Sequence, residues 1–268
     1  MIKVVYNCLL TKSLHLYMKK YQLKFISDEN LKQHVTETIR KYRSGINLRA
    51  FKKNLLDPLK LTFDSKIYSK PIEELIENEA LRQIDKTNTN VIGYFNQNIF
   101  NYIGGEKWIV PTRGFDVVNQ EQSIYVEMKN KHNTMNSSSS QKTYMRMQHQ
   151  VLQNPKAVCL LVEVIAKRSQ DKPWTISLDG KRIVSEKIRK VSMDKFYELV
   201  TGDPESFKKL IEVIPRVIDD VLLEEGRSLF TNQVFAELYK ISPDIMKSIF
   251  IFSFGTYQGF EHFEIDKS

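Results

Sequence analysis

The chain has 268 residues, 40 Lys+Arg against 32 Asp+Glu, and a formal charge of +8; 41% of it is hydrophobic and 11% aromatic. That composition excludes an intrinsically disordered polymer, and the length allows one large domain or two small ones. No apolar run is long enough to span a bilayer, and two distant cysteines, Cys8 and Cys159, argue against a disulfide scaffold or a CxxC zinc site and fit a reducing cytosol.

Residues 1–17 mix apolar residues with Lys3, Lys12 and His15 and lack a small-residue cleavage site, so a secretory signal is not expected. Met18-Lys19-Lys20 reads as an alternative start, which makes residues 1–17 dispensable by expectation. Leu31, Val35 and Ile39 at four-residue spacing predict a helix over Asp28–Tyr42, with Asp28 as its N-cap. Pro58 interrupts a second basic, apolar stretch. Ile72, Leu75, Ile76 and Leu81 predict a helix over Pro71–Ile84, and another is expected over Asn90–Tyr102, ended by Gly104-Gly105.

The middle of the chain changes character. Trp108–Val110 and Gly114–Val118 are β-like, Asn119–Gln122 is a turn, and Ser123–Lys129 alternates as a strand. Ser137–Ser140 offer caps for a helix over about Gln141–Leu152, with Tyr144, Met147 and Val151 on one face. Asn154-Pro155 ends that helix, and the apolar run Ala157–Ile165, which carries Glu163, reads as a strand buried on both faces. After Gly180 the pattern is mostly helical, at Met193–Val200, Phe207–Leu223 and Thr231–Tyr239. The expected class is therefore an α/β core with helical additions at both ends.

Charge is unevenly spread. Residues 1–75 carry a net +8, residues 76–128 −3, residues 129–190 +9 and residues 191–268 −6. Two basic blocks flanking a slightly acidic one suit a polyanion held by basic walls around a site that carries carboxylates, although a basic block is often only a solvated face.

Those carboxylates can be placed. In the strand Ser123–Lys129, Ile124, Val126 and Met128 share the core face, and Tyr125, Glu127 and Lys129 share the other. A turn centred on Glu121-Gln122 would put Asp116 directly across from Glu127, and a register shifted by two would leave them diagonal neighbours on the same face; two carboxylates so close repel unless a proton or cation intervenes. A hard divalent ion such as Mg²⁺ resolves the conflict and can activate a water against a phosphodiester. Lys129 would orient or deprotonate that water, or neutralise charge on the phosphate. A bare Glu-x-Lys is weak by itself, since an exposed strand more often carries a solvated pair. The polar run Asn130–Ser140 that follows is rich in residue types that contact phosphates and base edges; an exposed, capped loop is the plainer reading. His132-Asn133 would suit a histidine-centred nuclease only with a second histidine at compatible spacing, and the chain has five in all.

Gly114-Phe115-Asp116-Val117, followed by the run from Glu127-Met128-Lys129-Asn130-Lys131-His132 through Asn136 and the four serines to Gln141-Lys142-Thr143, resembles type II restriction endonucleases of the AsuI specificity type, which cut GGNCC. The resemblance runs from about Phe25 to the C-terminus, and residues 1–17 carry none of it. That family is similar to the PD-(D/E)xK nucleases, whose core is a mixed β-sheet flanked by helices. By this resemblance Asp116 and Glu127 are the metal-binding acids and Lys129 the catalytic lysine. Phe115 stands where the motif has proline, which weakens the motif match more than the chemistry.

The resemblance implies a single cytoplasmic endonuclease domain: a helical basic region (18–89), a catalytic core (90–190) and a helical C-terminal region (191–268). It implies Mg²⁺-dependent cleavage of double-stranded DNA at a short palindrome, with 5′ overhangs, by an enzyme paired with a cognate DNA methyltransferase. A two-fold symmetric site calls for a homodimer. Candidate DNA contacts are Lys131, Asn133, Asn136, Ser137, Ser138, Ser139, Ser140, Gln141 and Lys142; candidate accessories are Glu79, Gln97 and Arg113, while Trp108 is expected to pack in the core. Two other readings remain: a repair, recombination or RNA-directed nuclease using the same acids, and a non-catalytic nucleic-acid-binding protein whose Glu127–Lys129 pair is structural.

Overall fold

Helix α1 (Asp28–Lys41) opens the first unit of the computed structural model, which describes residues 21–54, 56–226 and 231–255. Leu31 and Val35 are buried on its inner face, as their spacing requires. The cap, however, is Ser27, whose Oγ accepts the Asn30 N–H at 3.1 Å. Asp28 instead accepts the Tyr21 N–H with both oxygens at 3.1 Å, so the cap falls one residue earlier than expected. The expectations about residues 1–17 and Met18 lie outside the described residues.

Next come β1 (Gly45–Ile46), α2 (Leu48–Lys52), α3 (Pro58–Tyr68) and α4 (Ile72–Asn98). Pro58 starts a helix rather than breaking one: it sits in the first turn of α3, where its missing N–H is harmless, behind an Asp57 cap that accepts from Leu59 and Lys60. The two expected helices over Pro71–Ile84 and Asn90–Tyr102 are one helix, followed by a 3-10 turn at Ile99–Asn101. The polar stretch between them contains no Gly or Pro to break it. Leu81 is exposed, and Ile76, Ala80 and Ile84 form the buried stripe instead.

The sheet comprises β2 (Val117–Asn119), β3 (Ile124–Lys131), β4 (Val158–Ile165), β5 (Asp171–Leu178) and β6 (Lys181–Ser192), with α5 (Ser137–Gln153) linking β3 to β4. Its order is β2-β3-β4-β6-β5, parallel in the centre and antiparallel at both ends. This is a mixed sheet flanked by helices, the expected fold class. Trp108–Val110 contributes only a bridge, Ile109 to Val118.

Helices α6 (Met193–Thr201) and α7 (Ser206–Glu225) complete the first unit, which takes the chain up to Ile39 and again from Gly93 to Glu225. One sheet face packs Val126, Leu160 and Val162 against Leu31, Phe100, Phe196 and Val217. The other packs Cys159, Leu161 and Ile188 against Tyr144 and Met147 of α5. Strand β4 is thus buried on both faces, as its apolar run requires.

The hairpin β5–β6 was not expected, because Lys172, Lys181, Arg182, Lys187, Arg189 and Lys190 dilute its apolar alternation. Its local signal was nonetheless present: Asp179-Gly180 is a two-residue turn with both φ angles positive, between Leu178 and its partner Lys181.

The second unit takes Arg40–Ile92 and the chain from Gly226, including β7 (Thr231–Asn232), α8 (Val234–Ile241) and α9 (Ile245–Phe254). The expected helix over Thr231–Tyr239 therefore starts with a short strand, and β7 pairs in parallel with β1. A Cβ on Gly45 would lie 2.3 Å from Thr231 Oγ1, so only glycine permits this pairing. The core of this unit is built on Phe51, Ala80, Val234, Leu238 and Ile249. The expected segments 18–89, 90–190 and 191–268 are consecutive, whereas each unit draws on separated stretches of chain.

Candidate active site

The β2–β3 hairpin positions the acids. Val117 pairs with Val126, Val118 with Tyr125 and Asn119 with Ile124, around a four-residue loop. The loop is held locally: Asn119 Oδ1 accepts the Gln122 N–H at 3.0 Å, and Ser123 takes a left-handed φ of 55°. Asp116 lies one residue beyond the last pair of the ladder, Val117–Val126, and its N–H donates to the Val126 carbonyl at 2.8 Å, so it is not set squarely across from Glu127 as expected. A one-residue slip would turn every side chain on the strand to the opposite face.

Asp116 is anchored at both ends. Its Oδ2 accepts the Met128 N–H at 2.7 Å, and its carbonyl accepts from Gln97 Nε2 at 3.2 Å. Burial raises its carboxyl above the ordinary value and the nearby Glu127 adds to this, against the opposing pull of the Met128 N–H, Lys129 and Arg146. Glu127 is nearly buried, with both oxygens paired. Lys129 Nζ donates to Oε1 at 2.7 Å, and Arg146 of α5 donates to Oε2. The Arg146 guanidinium also lies 4.8 Å over the Phe115 ring, which in turn packs on Tyr125.

The face carrying Glu127 and Lys129 is less open than a strand facing a cleft would be. Tyr125 packs partly buried beneath α5, because both sides of the sheet are covered, Glu127 is buried, and the face opens toward solvent only from Lys129 onward. Glu163 shares it, pairing in register with Lys129. Its buried carboxylate faces Lys190 Nζ at 2.8 Å and accepts from Gln170 at 3.2 Å. Cys159 lies below, its thiol pushed up to about 12 by burial, so it is not a nucleophile.

The other expected residues separate. Gln97 reaches the site through the Asp116 carbonyl. Glu79 belongs to the second unit, engaged by Arg82 at 2.6 Å and Gln83 at 2.9 Å. Arg113 is exposed in the loop before Gly114. Lys131 ends β3 exposed; Asn133, Ser137, Ser138 and Lys142 are also exposed. The cap of α5 is Asn136, accepting the Ser139 N–H at 2.8 Å, rather than one of the serines, which form the first turn. Gln141 is tied to β5 through the Ser177 carbonyl at 2.7 Å.

Two residues of this face went unread in the sequence. Glu163 had a signal, a lone acid inside an apolar strand, which is charged only where it is paired. Arg146 had none, since nothing in a helix sequence says which strand residue its flank will meet.

Among the described residues no three His, Cys, Asp or Glu side chains form a metal-binding group. The donor set still fits Mg²⁺, which is commonly held by one or two carboxylates with water and phosphate completing the shell. Asp116 keeps Oδ1 without a hydrogen-bond donor among the described residues, and Glu127 presents a second hard oxygen beside it.

The chain matches the family model of the Eco47II restriction endonuclease over residues 23–223, a span that contains Asp116, Glu127, Lys129 and Arg146. It is 30% identical over 238 residues to the type II restriction enzyme Sau96I of Staphylococcus aureus, an alignment covering 83% of this chain and 90% of that enzyme. It is 29% identical over 215 residues to the type II restriction enzyme Eco47II of Escherichia coli, covering 75% and 89%.

Proposed function

The chain belongs to the Eco47II restriction endonuclease family, and from that premise we propose that it is a type II restriction endonuclease, hydrolysing both strands of DNA at a short palindrome in a Mg²⁺-dependent reaction. GGNCC is the sequence its AsuI-type resemblance implies. A palindrome presents two equivalent scissile bonds, so the acting form is a homodimer. An enzyme of this kind works in the cytoplasm beside a methyltransferase that protects the host's own sites; no helix among the described residues is long and apolar enough to cross a membrane.

The observation that carries the reading is the β2–β3 hairpin, which ties Asp116 to the Val126 carbonyl and the Met128 N–H, on either side of Glu127, with Lys129 Nζ 2.7 Å from a Glu127 oxygen. Asp116 and Glu127 would hold the metal, which when bound polarises the phosphate and makes a water more acidic. Lys129 orients the attacking water and offsets the charge that builds on the phosphate. Gln97 and the Met128 N–H keep Asp116 in place while the substrate enters. The backbone of the duplex is gripped by the two basic blocks. Lys131, Lys142 and the first turn of α5 with its cap, Asn136 through Ser140, supply further phosphate or base contacts.

Plasmids with and without a single GGNCC site, incubated with Mg²⁺ or EDTA, test this. Discrete fragments only with the site and the metal support it. Smearing or structure-dependent nicking would indicate a repair-type nuclease, and retarded but uncut DNA a binding protein; either result overturns the proposal.

A further inference from the structure

Glu127 has two carboxylate oxygens, and each already faces a cation, Lys129 on Oε1 and Arg146 on Oε2. Each oxygen keeps a second lone pair, but a divalent ion that takes one of them comes up against the cation already there, and the like charges repel. Resting on the metal-site reading above, we propose that Arg146 is the counter-cation that holds Glu127 in its coordinating pose and yields Oε2 when the metal binds.

The two cations are not equivalent. Lys129 leaves the same strand two residues after Glu127, on the same face, and its side chain is 29% exposed. Arg146 reaches across from α5, touches Glu127 with a single nitrogen, and is 43% exposed. It also has a second resting place, the Phe115 ring 4.8 Å away, so leaving the carboxylate does not strand the charge. Its aliphatic stem can stay packed while the head group moves.

Charge balance points the same way. With both carboxyls ionised, Asp116, Glu127, Lys129 and Arg146 sum to zero. A divalent ion and one phosphodiester would bring that sum to +1, and moving Arg146 out of the cluster restores neutrality. Before the metal arrives, the guanidinium does the opposite service. It offsets a nearly buried carboxylate that would otherwise sit against Asp116 with one cation for two negative charges.

The test uses the full chain and Mn²⁺ as the probe, with DNA absent so that no cleavage enters. Isothermal titration compares wild type, Arg146→Met, Arg146→Lys and Glu127→Gln. Arg146→Met keeps the stem volume and removes the charge. It should bind Mn²⁺ about fivefold more tightly than wild type, the factor expected from losing a competing ion pair of this exposure. Its metal-free melting temperature should fall, and the rise on adding Mn²⁺ should exceed that of wild type. Arg146→Lys should stay close to wild type in both. Arg146→Met binding Mn²⁺ as wild type does, or more weakly, would overturn the proposal, as would an equal gain by Arg146→Lys. Glu127→Gln separates the two ideas: if it binds Mn²⁺ like wild type, the metal site itself is misassigned.

Discussion

Replacing Lys129 with alanine separates catalysis from stability. The Lys129–Glu127 pair lies at 2.7 Å, with side chains 29% and 11% exposed, and Glu127 keeps Arg146 when Lys129 is gone. The pair is partly screened, so its loss should cost no more than about 1 kcal/mol and lower the melting temperature by roughly 2–4 °C. A fold stable by roughly 10 kcal/mol would remain almost fully folded. Losing a group that orients the attacking water and offsets phosphate charge should slow cleavage about 10²–10⁴-fold, or ~3–5 kcal/mol on the barrier. Single-turnover cleavage of a supercoiled plasmid measures the rate, thermal melting the stability, and a gel shift in Ca²⁺ the retained binding of DNA. Cleavage at the wild-type rate would refute the role given to Lys129. A fall in melting temperature beyond about 10 °C would show that the lysine is structural.

Three other outcomes are expected. Asp116 has a carboxyl raised by burial, so its contribution to stability is present in acid and is lost as pH rises through its folded-state value. Asp116→Asn, whose Oδ1 still accepts the Met128 N–H, should therefore abolish cleavage yet melt higher than wild type at pH 7.5, with the gain fading toward pH 4; a variant less stable at pH 7.5 contradicts this. Gln97→Ala frees the Asp116 carbonyl and should lower kcat several-fold while leaving KM for DNA near its wild-type value, at about 1 kcal/mol of stability; a change in KM alone would place Gln97 in DNA binding. In the second unit Arg40, Lys41, Arg43 and Lys53 line a cavity of about 660 Å³ with no acidic residue in its wall. If it takes DNA phosphates, Lys41→Ala with Lys53→Ala should weaken all sequences alike and reduce the salt dependence of binding by about 0.9 per lost contact; an unchanged slope would exclude the cavity from the interface.

The hairpin that carries the candidate acids was legible because everything that sets it is local. Alternation over Ile124–Lys129 assigns faces, and a four-residue polar loop assigns register as far as Val117–Val126; Asp116 follows one residue on, tied to Val126 and Met128 rather than paired with Glu127. The buried strand Val158–Ile165 and the inner face of α5, Tyr144 and Met147, were readable from periodicity for the same reason. The Asp179-Gly180 hairpin was equally local but was masked by the lysines and arginines of a half-exposed edge.

What remained hidden depends on packing between elements distant in sequence. Which residue on the flank of α5 reaches the sheet depends on how Tyr144 and Met147 seat against Cys159 and Leu161, and that seating brings Arg146 to Glu127. The Glu163–Lys190 pair likewise exists only because β4 and β6 are neighbours in a parallel sheet. The sequence by itself determined the hairpin on which the candidate acids and lysine sit, through hydrogen bonds a few residues apart. Tertiary structure alone brought Arg146 to Glu127 and Lys190 to Glu163, because a buried carboxylate needs a cation and any element that packs within reach can supply it.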